Sequence, residues 1–497
     1  MSILRKLAGQ TIIYGASSIL GRLLNYLLVP YYTYIFAAGE YGTITEFYAY
    51  AAFLNVLFTY GMETAYFRFA TAQKDNAGSV FNQATSALLL SSILLSGILF
   101  VIATPLTEYL HYPGKEHYIR WFAGILAIDA IVAIPFARLR LENRPVYFAI
   151  TKLVNIGLNI GLNIFFLSVC PAVLRGDYPA FLKPLAETVY QPGYSIEYVF
   201  LSNLLANAAL LLLLMPVFSS FRFSFQWTSL RPMLTYAYPI LFAGLAWVTN
   251  EMLSRWALRF WLPENFYPGL SNEAALGVFG AVYKFSVFMT LTVQAFRYAA
   301  EPFFFSRAAD KNSPELFSKV SHAFIVFGCF VVLVISTNLD VLQYILQQEV
   351  YRQGMHVVPV LLFANLFLGI YYNVSIWYKI TDKTYFSTWI TGSAALFTIL
   401  LNYLLIPVAG YEGSSWVTLL VYFGMAASCY WLGQRYYPIP YPLVRDSFYI
   451  ILTVLGIWLI NQLNFFSMSL LLSVRIMIYV LLGFLIYRLE RNRMQIL

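Results

Sequence analysis

The stretch NEMLSRWALRFWL, Asn250 to Leu262, places Glu251, Arg255 and Arg259 at four-residue intervals inside an apolar segment. Residues i and i+4 of an α-helix lie one above the other, so the three charges are predicted to line one face. An arginine at the centre of a membrane helix costs about 2.5–3.5 kcal/mol on insertion scales, so such a residue must face protein, water or a ligand. Whether this segment crosses a bilayer therefore decides how the other charges are read.

Composition answers that. The chain has 497 residues, 60% hydrophobic and 11% charged, with a mean hydropathy of +0.68. Soluble proteins carry charge on roughly a quarter of their residues. Runs long enough to cross about 30 Å of hydrocarbon as helices recur throughout, and no stretch of soluble-domain size is left over. The predicted fold is an all-α integral membrane protein with about fourteen transmembrane helices. The spans fall near 10–36, 43–70, 81–104, 118–137, 147–170, 196–218, 233–261, 275–300, 317–338, 356–379, 386–408, 413–433, 446–464 and 468–488.

Lys and Arg gather on alternate helix ends, from Arg5 and Lys6 through Arg68, Arg138, Arg140, Arg144 and Arg231 to Arg488, Arg491 and Arg493. The opposite loops hold only Lys115, Arg120, Arg175, Lys183 and Arg352. Cytoplasmic loops are the ones enriched in these residues, so both termini are expected in the cytoplasm. This topology accounts for the formal charge of +8 and removes the reason to invoke nucleic acid. The apolar part of the first segment far exceeds a signal peptide's and contains Arg22, so it is expected to remain as a helix. Cys170, Cys329 and Cys429 have no metal-ligand spacing and suggest no disulfide, and His111, His117, His322 and His356 form no cluster in sequence.

Charges at helix ends can reach water by snorkelling and need no functional account. The cations left deep in spans are Arg22, Arg255, Arg259, Lys284 and Arg475. Arg22 has no acidic residue in its own helix, where Ser18 and Asn25 share its face, while Glu251 is the local partner expected for Arg255. Because cations outnumber their candidate partners, Arg22, Arg255, Arg259 and Lys284 are predicted to line a water-filled cavity that accepts an anion, supported by Ser18, Asn25 and Glu251. Among the acids, Glu63 and Glu301 are expected to pair with Arg68 and Arg297, Glu46 is a lesser candidate, and Asp129 is the best candidate for an ion or proton site. Asn155 to Asn163 reads NIGLNIGLN, and its glycines and asparagines are expected to serve helix packing.

A faint repeat joins the halves. At an offset of 235 residues Gly42 of EYGTITEFYAY falls on Gly277 of ALGVFGAVYKF, each opening the helix after a cation-bearing one. Two six-helix halves are predicted, 1–220 and 221–436, followed by two further helices in 437–497.

The segments LAGQTIIYGASSILGRLLNYLLVPYYTYIF, EYGTITEFYAY, YGMETAYFRF, YVFLSNLLANAALLLLL and QAFRYAAEPFFFS together resemble bacterial polysaccharide flippases of the MATE-like superfamily. The resemblance implies two pseudo-symmetric six-helix lobes around a central cavity, with two additional C-terminal helices, in the bacterial inner membrane. It implies an undecaprenyl-pyrophosphate-linked oligosaccharide as substrate, moved from the cytoplasmic to the periplasmic leaflet for surface polysaccharide synthesis. Glycan polymerase or export machinery would be the protein partners. The scattered histidines and the lack of a large extramembrane loop bearing paired carboxylates argue against an enzyme, no cofactor is expected, and the membrane potential, or coupling to Na+ or H+, is expected to drive transport. By position, Arg22, Arg255, Arg259 and Lys284 would be the cavity cations that bind pyrophosphate. Three alternatives stand beside this reading: a lipid II flippase, a multidrug exporter of the same superfamily, and a membrane glycan polymerase or glycosyltransferase.

Overall fold

The computed structural model describes residues 15, 19–177, 180–308, 310, 312–462 and 468–494, and among them every regular element is a helix. The first helix, α1, covers 19–26 and Leu28–Ile35. It is followed by α2 (Ala38–Thr59), α3 (Met62–Ala72), α4 (Ala77–Val101), α5 (Glu116–Leu141), α6 (Pro145–Arg175) and α7 (Ile196–Leu213). Then come α8 (Trp227–Trp261), α9 (Asn272–Phe305), α10 (Ser313–Thr337), α11 (Glu349–Ile380), α12 (Tyr385–Tyr436), α13 (Leu443–Asn461) and α14 (Met468–Met494).

Among the described residues ten helices, α4 to α13, are long and apolar enough to cross a membrane. Were the 52 residues of α12 one straight helix, it would be about 78 Å long, more than twice the hydrocarbon thickness. It breaks at Gly410, whose φ of 53° and ψ of −137° only glycine adopts readily, and the predicted spans 386–408 and 413–433 fall on either side. Asn402 and Ser414 bond across the break at 2.7 Å. The other expected crossings lie on α1, on α2 with α3, and on Leu472–Ile486 of α14. The protein is a multi-pass, all-helical membrane protein.

By packing the chain forms two units, Met1–Arg259 and Phe260–Leu497. Helix α8, placed in the second half by the sequence repeat, is thus grouped with the first unit, because it packs antiparallel along α2 and α3. Tyr60 and Gly61, both with positive φ, break that second crossing. A Cβ on Gly61 would come within 2.8 Å of Ile240 and 2.9 Å of the Ala237 carbonyl, and one on Gly244 within 2.9 Å of Val56. These contacts fix the register of α8 on α2.

Lipid is as apolar as leucine, so burial supplies little drive for helix association in a bilayer; close packing and hydrogen bonds matter more. In the first unit Asn155 of α6 donates to the Ala206 carbonyl at 2.9 Å, and Tyr32 of α1 donates to Asn163 at 2.8 Å. The asparagines of NIGLNIGLN therefore tie helices together as expected. Its glycines do not: a Cβ on Gly157 or Gly161 would meet nothing within 4 Å.

The second unit uses the same devices. Trp377 Nε1 donates to the Cys429 carbonyl at 3.0 Å, and buried Arg475 grips both oxygens of Asp340 at 2.8 and 2.9 Å.

Candidate functional site

The antiparallel seam of α2 and α8 brings Glu46 to Arg259. Glu46 is fully buried and lies 3.6 Å from Arg259 Nε. Its oxygens also accept the hydroxyls of Tyr50 at 2.6 Å and Tyr112 at 2.7 Å. Tyr112 lies in the loop before α5, and burial together with the Glu46 carboxylate holds its phenol well above the ordinary tyrosine value, so it stays a donor. Beside this cluster is an apolar cavity of about 480 Å³ walled by Phe47, Tyr50, Leu54, Leu253 and Trp256.

Arg259 thus already faces a carboxylate, a partner on another helix that spacing along the chain does not disclose. On α8, Asn250, Leu253, Ser254, Ala257 and Leu258 are buried, whereas Glu251, Arg255 and Arg259 are half-buried on the adjoining stripe, as the four-residue spacing requires. Arg255 contacts Met252 Sδ, and its charge reaches the buried phenol of Tyr41. Glu251 makes no ion pair among the described residues, so the partnership expected with Arg255 is not formed.

Arg22 and Asn25 are both exposed on α1, and Ser18 lies outside the described residues. Gly21 explains the orientation of Arg22: a Cβ there would stand 2.8 Å from Ile156, so that face of α1 lies against α6 and the next side chain points away. Arg22 makes no ion pair among the described residues. In the second unit, Lys284 begins a 3₁₀ turn, Lys284–Ser286, that interrupts α9. Every other residue from Ala275 to Ser286 is buried, and Lys284 is exposed.

Several acids have other partners than expected. Glu63 pairs with Arg140 of α5 rather than with Arg68. Glu301 does approach Arg297, at 3.5 Å, but Lys379 is closer at 2.7 Å. Asp129 is half-buried and accepts the Asn207 amide at 2.9 Å; the Lys152 ammonium, 4.4 Å from the Phe136 ring, acts on it electrostatically. The deep cation Arg475 is accounted for by Asp340.

The structure adds one polar cluster that sequence spacing could not reveal. His322 of α10 lies 2.6 Å from Asp446 and 3.3 Å from Glu490, with Tyr449 donating to Glu490 at 2.9 Å. His356 meets Glu412 at 2.8 Å, and His117 lies 3.7 Å from Glu197. Among the described residues no group of three or more His, Cys, Asp or Glu is placed to hold a metal. The three cysteines are buried and free.

No family model matches the sequence, and no curated protein matches it. Solved structures do match. The lipid II flippase MurJ in an inward closed conformation superposes with a TM-score of 0.71 at 12% identity, covering 96% of this chain and 99% of that one. The MATE multidrug transporter DinF-BH gives 0.56 at 17% identity, over 87% and 96%. A Vibrio cholerae MATE transporter, VcmN, gives 0.54 at 14% identity, over 86% and 96%. At these identities the likeness is one of fold, which is that of MATE-like transporters and flippases.

Proposed function

We propose that the protein is a flippase for a polyprenyl-pyrophosphate-linked oligosaccharide, moving it from the cytoplasmic to the outer leaflet of a bacterial inner membrane for surface polysaccharide synthesis. The observation that carries this reading is the state of the deep cations. Arg22 is exposed on α1 with no carboxylate partner among the described residues, and Lys284 is exposed where the residues around it from Ala275 to Ser286 are buried. A pyrophosphate takes several charge-assisted hydrogen bonds from arginine forks, which offsets its loss of water. Arg22, Arg255 and Lys284 are the residues proposed to contact it during transport, while Arg259 is held by Glu46 and serves mainly to set α8 against α2. The prenyl chain stays in lipid.

The membrane potential suffices as a driving force in this proposal. An interior negative by 100 mV pushes each negative charge outward with about 2.3 kcal/mol. Asp129 is the residue proposed to couple an ion if one is needed.

Lipid II is the second reading, favoured by the likeness to its flippase. Its head also carries a pyrophosphate, so the cations serve both. A multidrug exporter for organic cations would need acids available in its cavity, whereas Glu46 is occupied by Arg259 and two tyrosines, and the half-buried stripe that carries Glu251 also carries Arg255 and Arg259.

The test is reconstitution in vesicles with a fluorescent polyprenyl-pyrophosphate glycan. The triple variant of Arg22, Arg255 and Lys284 to Ala is expected to insert normally and lose more than about tenfold in flipping rate, as removal of charge-assisted bonds predicts. Wild-type flipping by the triple variant would overturn the proposal. Growth rescue of cells depleted of their lipid II flippase would move the substrate to lipid II, and a change in substrate mass during flipping would point to an enzyme.

A further inference from the structure

Arginines on neighbouring helix ends of the first unit are matched by carboxylates: Arg138 to Glu142 at 2.6 Å, Arg144 to Glu142 at 3.3 Å, and Arg140 to Glu63. Two others are not. Arg68, near the end of α3, and Arg231, in the second turn of α8, are exposed and make no ion pair among the described residues. Both line one open pocket of about 710 Å³, together with Trp227, Thr228, Thr235 and Tyr236.

The fold builds this pocket deliberately at the seam already described. Because Gly61 lets α8 approach closely, α3 leaves along α8, and Phe69 meets Tyr236 with ring centres 6.4 Å apart. The Arg68 guanidinium then lies 4.2 Å from the centre of the Tyr236 ring, which orients its fork. Two like charges sharing a pocket repel unless an anion joins them. The pocket lies where α3 ends and α8 begins, on the ends rich in Lys and Arg, hence at the level of the lipid headgroups. Trp227, 59% exposed, has the amphipathic ring that sits at that level.

We propose that this pocket binds the phosphodiester of an anionic membrane phospholipid, of which phosphatidylglycerol is the simplest form. The two guanidinium groups take the phosphate, the Thr228 hydroxyl meets the glycerol while that of Thr235 donates to the Arg231 carbonyl, and Trp227 lies against the start of the acyl chains. A free phosphate would leave most of the pocket unfilled and the indole unused. The site is distinct from the deep cations proposed to serve transport, so failure of either proposal leaves the other standing.

The experiment uses the delipidated full chain in detergent, titrated with phosphatidylglycerol or phosphatidylcholine brominated on the acyl chains, reading tryptophan quenching with Trp227→Phe as reference. Phosphatidylglycerol is expected to bind about thirtyfold more tightly than phosphatidylcholine, the size expected for two arginines near a lipid surface. The double variant Arg68→Gln, Arg231→Gln should bind the two lipids equally, and millimolar inorganic phosphate should not displace phosphatidylglycerol. Equal binding of the two lipids by the wild type, retention of the preference by the double variant, or displacement by inorganic phosphate would each overturn the proposal. The wild-type lipid comparison decides the matter even if the double variant fails to fold.

Discussion

Glu46 and Arg259 offer the sharpest check on how the first unit is held together. Removing either charge takes this ionic contact from the other in a buried setting: Glu46 is fully buried, and the Arg259 side chain is 15% exposed. At the observed 3.6 Å and an effective dielectric of about 20, their attraction is about 5 kcal/mol before desolvation is subtracted. Breaking a buried pair from one side costs about 3–5 kcal/mol. In Glu46→Gln the amide oxygen can still accept from tyrosine, so the lower end applies. Glu46→Gln and Arg259→Met are each expected to destabilise by about 3 kcal/mol, and the double variant by little more than either alone. Unfolding in mixed micelles, read by fluorescence, would give the cycle, with a coupling energy of about 3 kcal/mol. Tyr50→Phe and Tyr112→Phe, each removing one bond to a charged acceptor, should cost about 1.5 kcal/mol. If the two charge-removing variants were additive within about 0.5 kcal/mol, the pair would not be the strut inferred here. If Arg259→Met lost transport at unchanged stability, Arg259 would belong with the substrate-binding cations.

Other perturbations address other parts of the molecule. Gly410→Ala should lower stability by about 2–3 kcal/mol, because a Cβ there demands a forbidden backbone region and overlaps the Tyr267 hydroxyl, and a lowered unfolding temperature would register it. Arg475→Met should cost about 2–3 kcal/mol and be largely rescued by adding Asp340→Asn; a variant as stable as the parent would remove Arg475 from the list of structural charges. His322→Leu leaves Asp446 and Glu490 facing one another and should destabilise by about 2 kcal/mol in the same unfolding measurement. Asp129→Asn should preserve flipping driven by an imposed potential; abolished flipping in that assay would instead assign the residue to ion coupling.

Composition and helical periodicity determined a great deal. A chain this apolar has to satisfy its backbone within helices, so the membrane class, most of the spans and the shared stripe of Glu251, Arg255 and Arg259 follow from local physics. Even the break at Gly410 is legible, as a gap between two hydrophobic runs. Partnership is another matter, because charges pair across helices far apart in sequence. Arg22, Arg255, Arg259 and Arg475 look alike on paper. Only tertiary packing gives Asp340 to Arg475 and Glu46 to Arg259, and leaves Arg22 exposed. Likewise Arg68 and Arg231 read as ordinary cytoplasmic-loop charges until a glycine at position 61 lets α8 close on α3 and places both in one pocket. Hydropathy is a property of each segment, whereas the electrostatic fate of a buried charge depends on which other segment lies beside it.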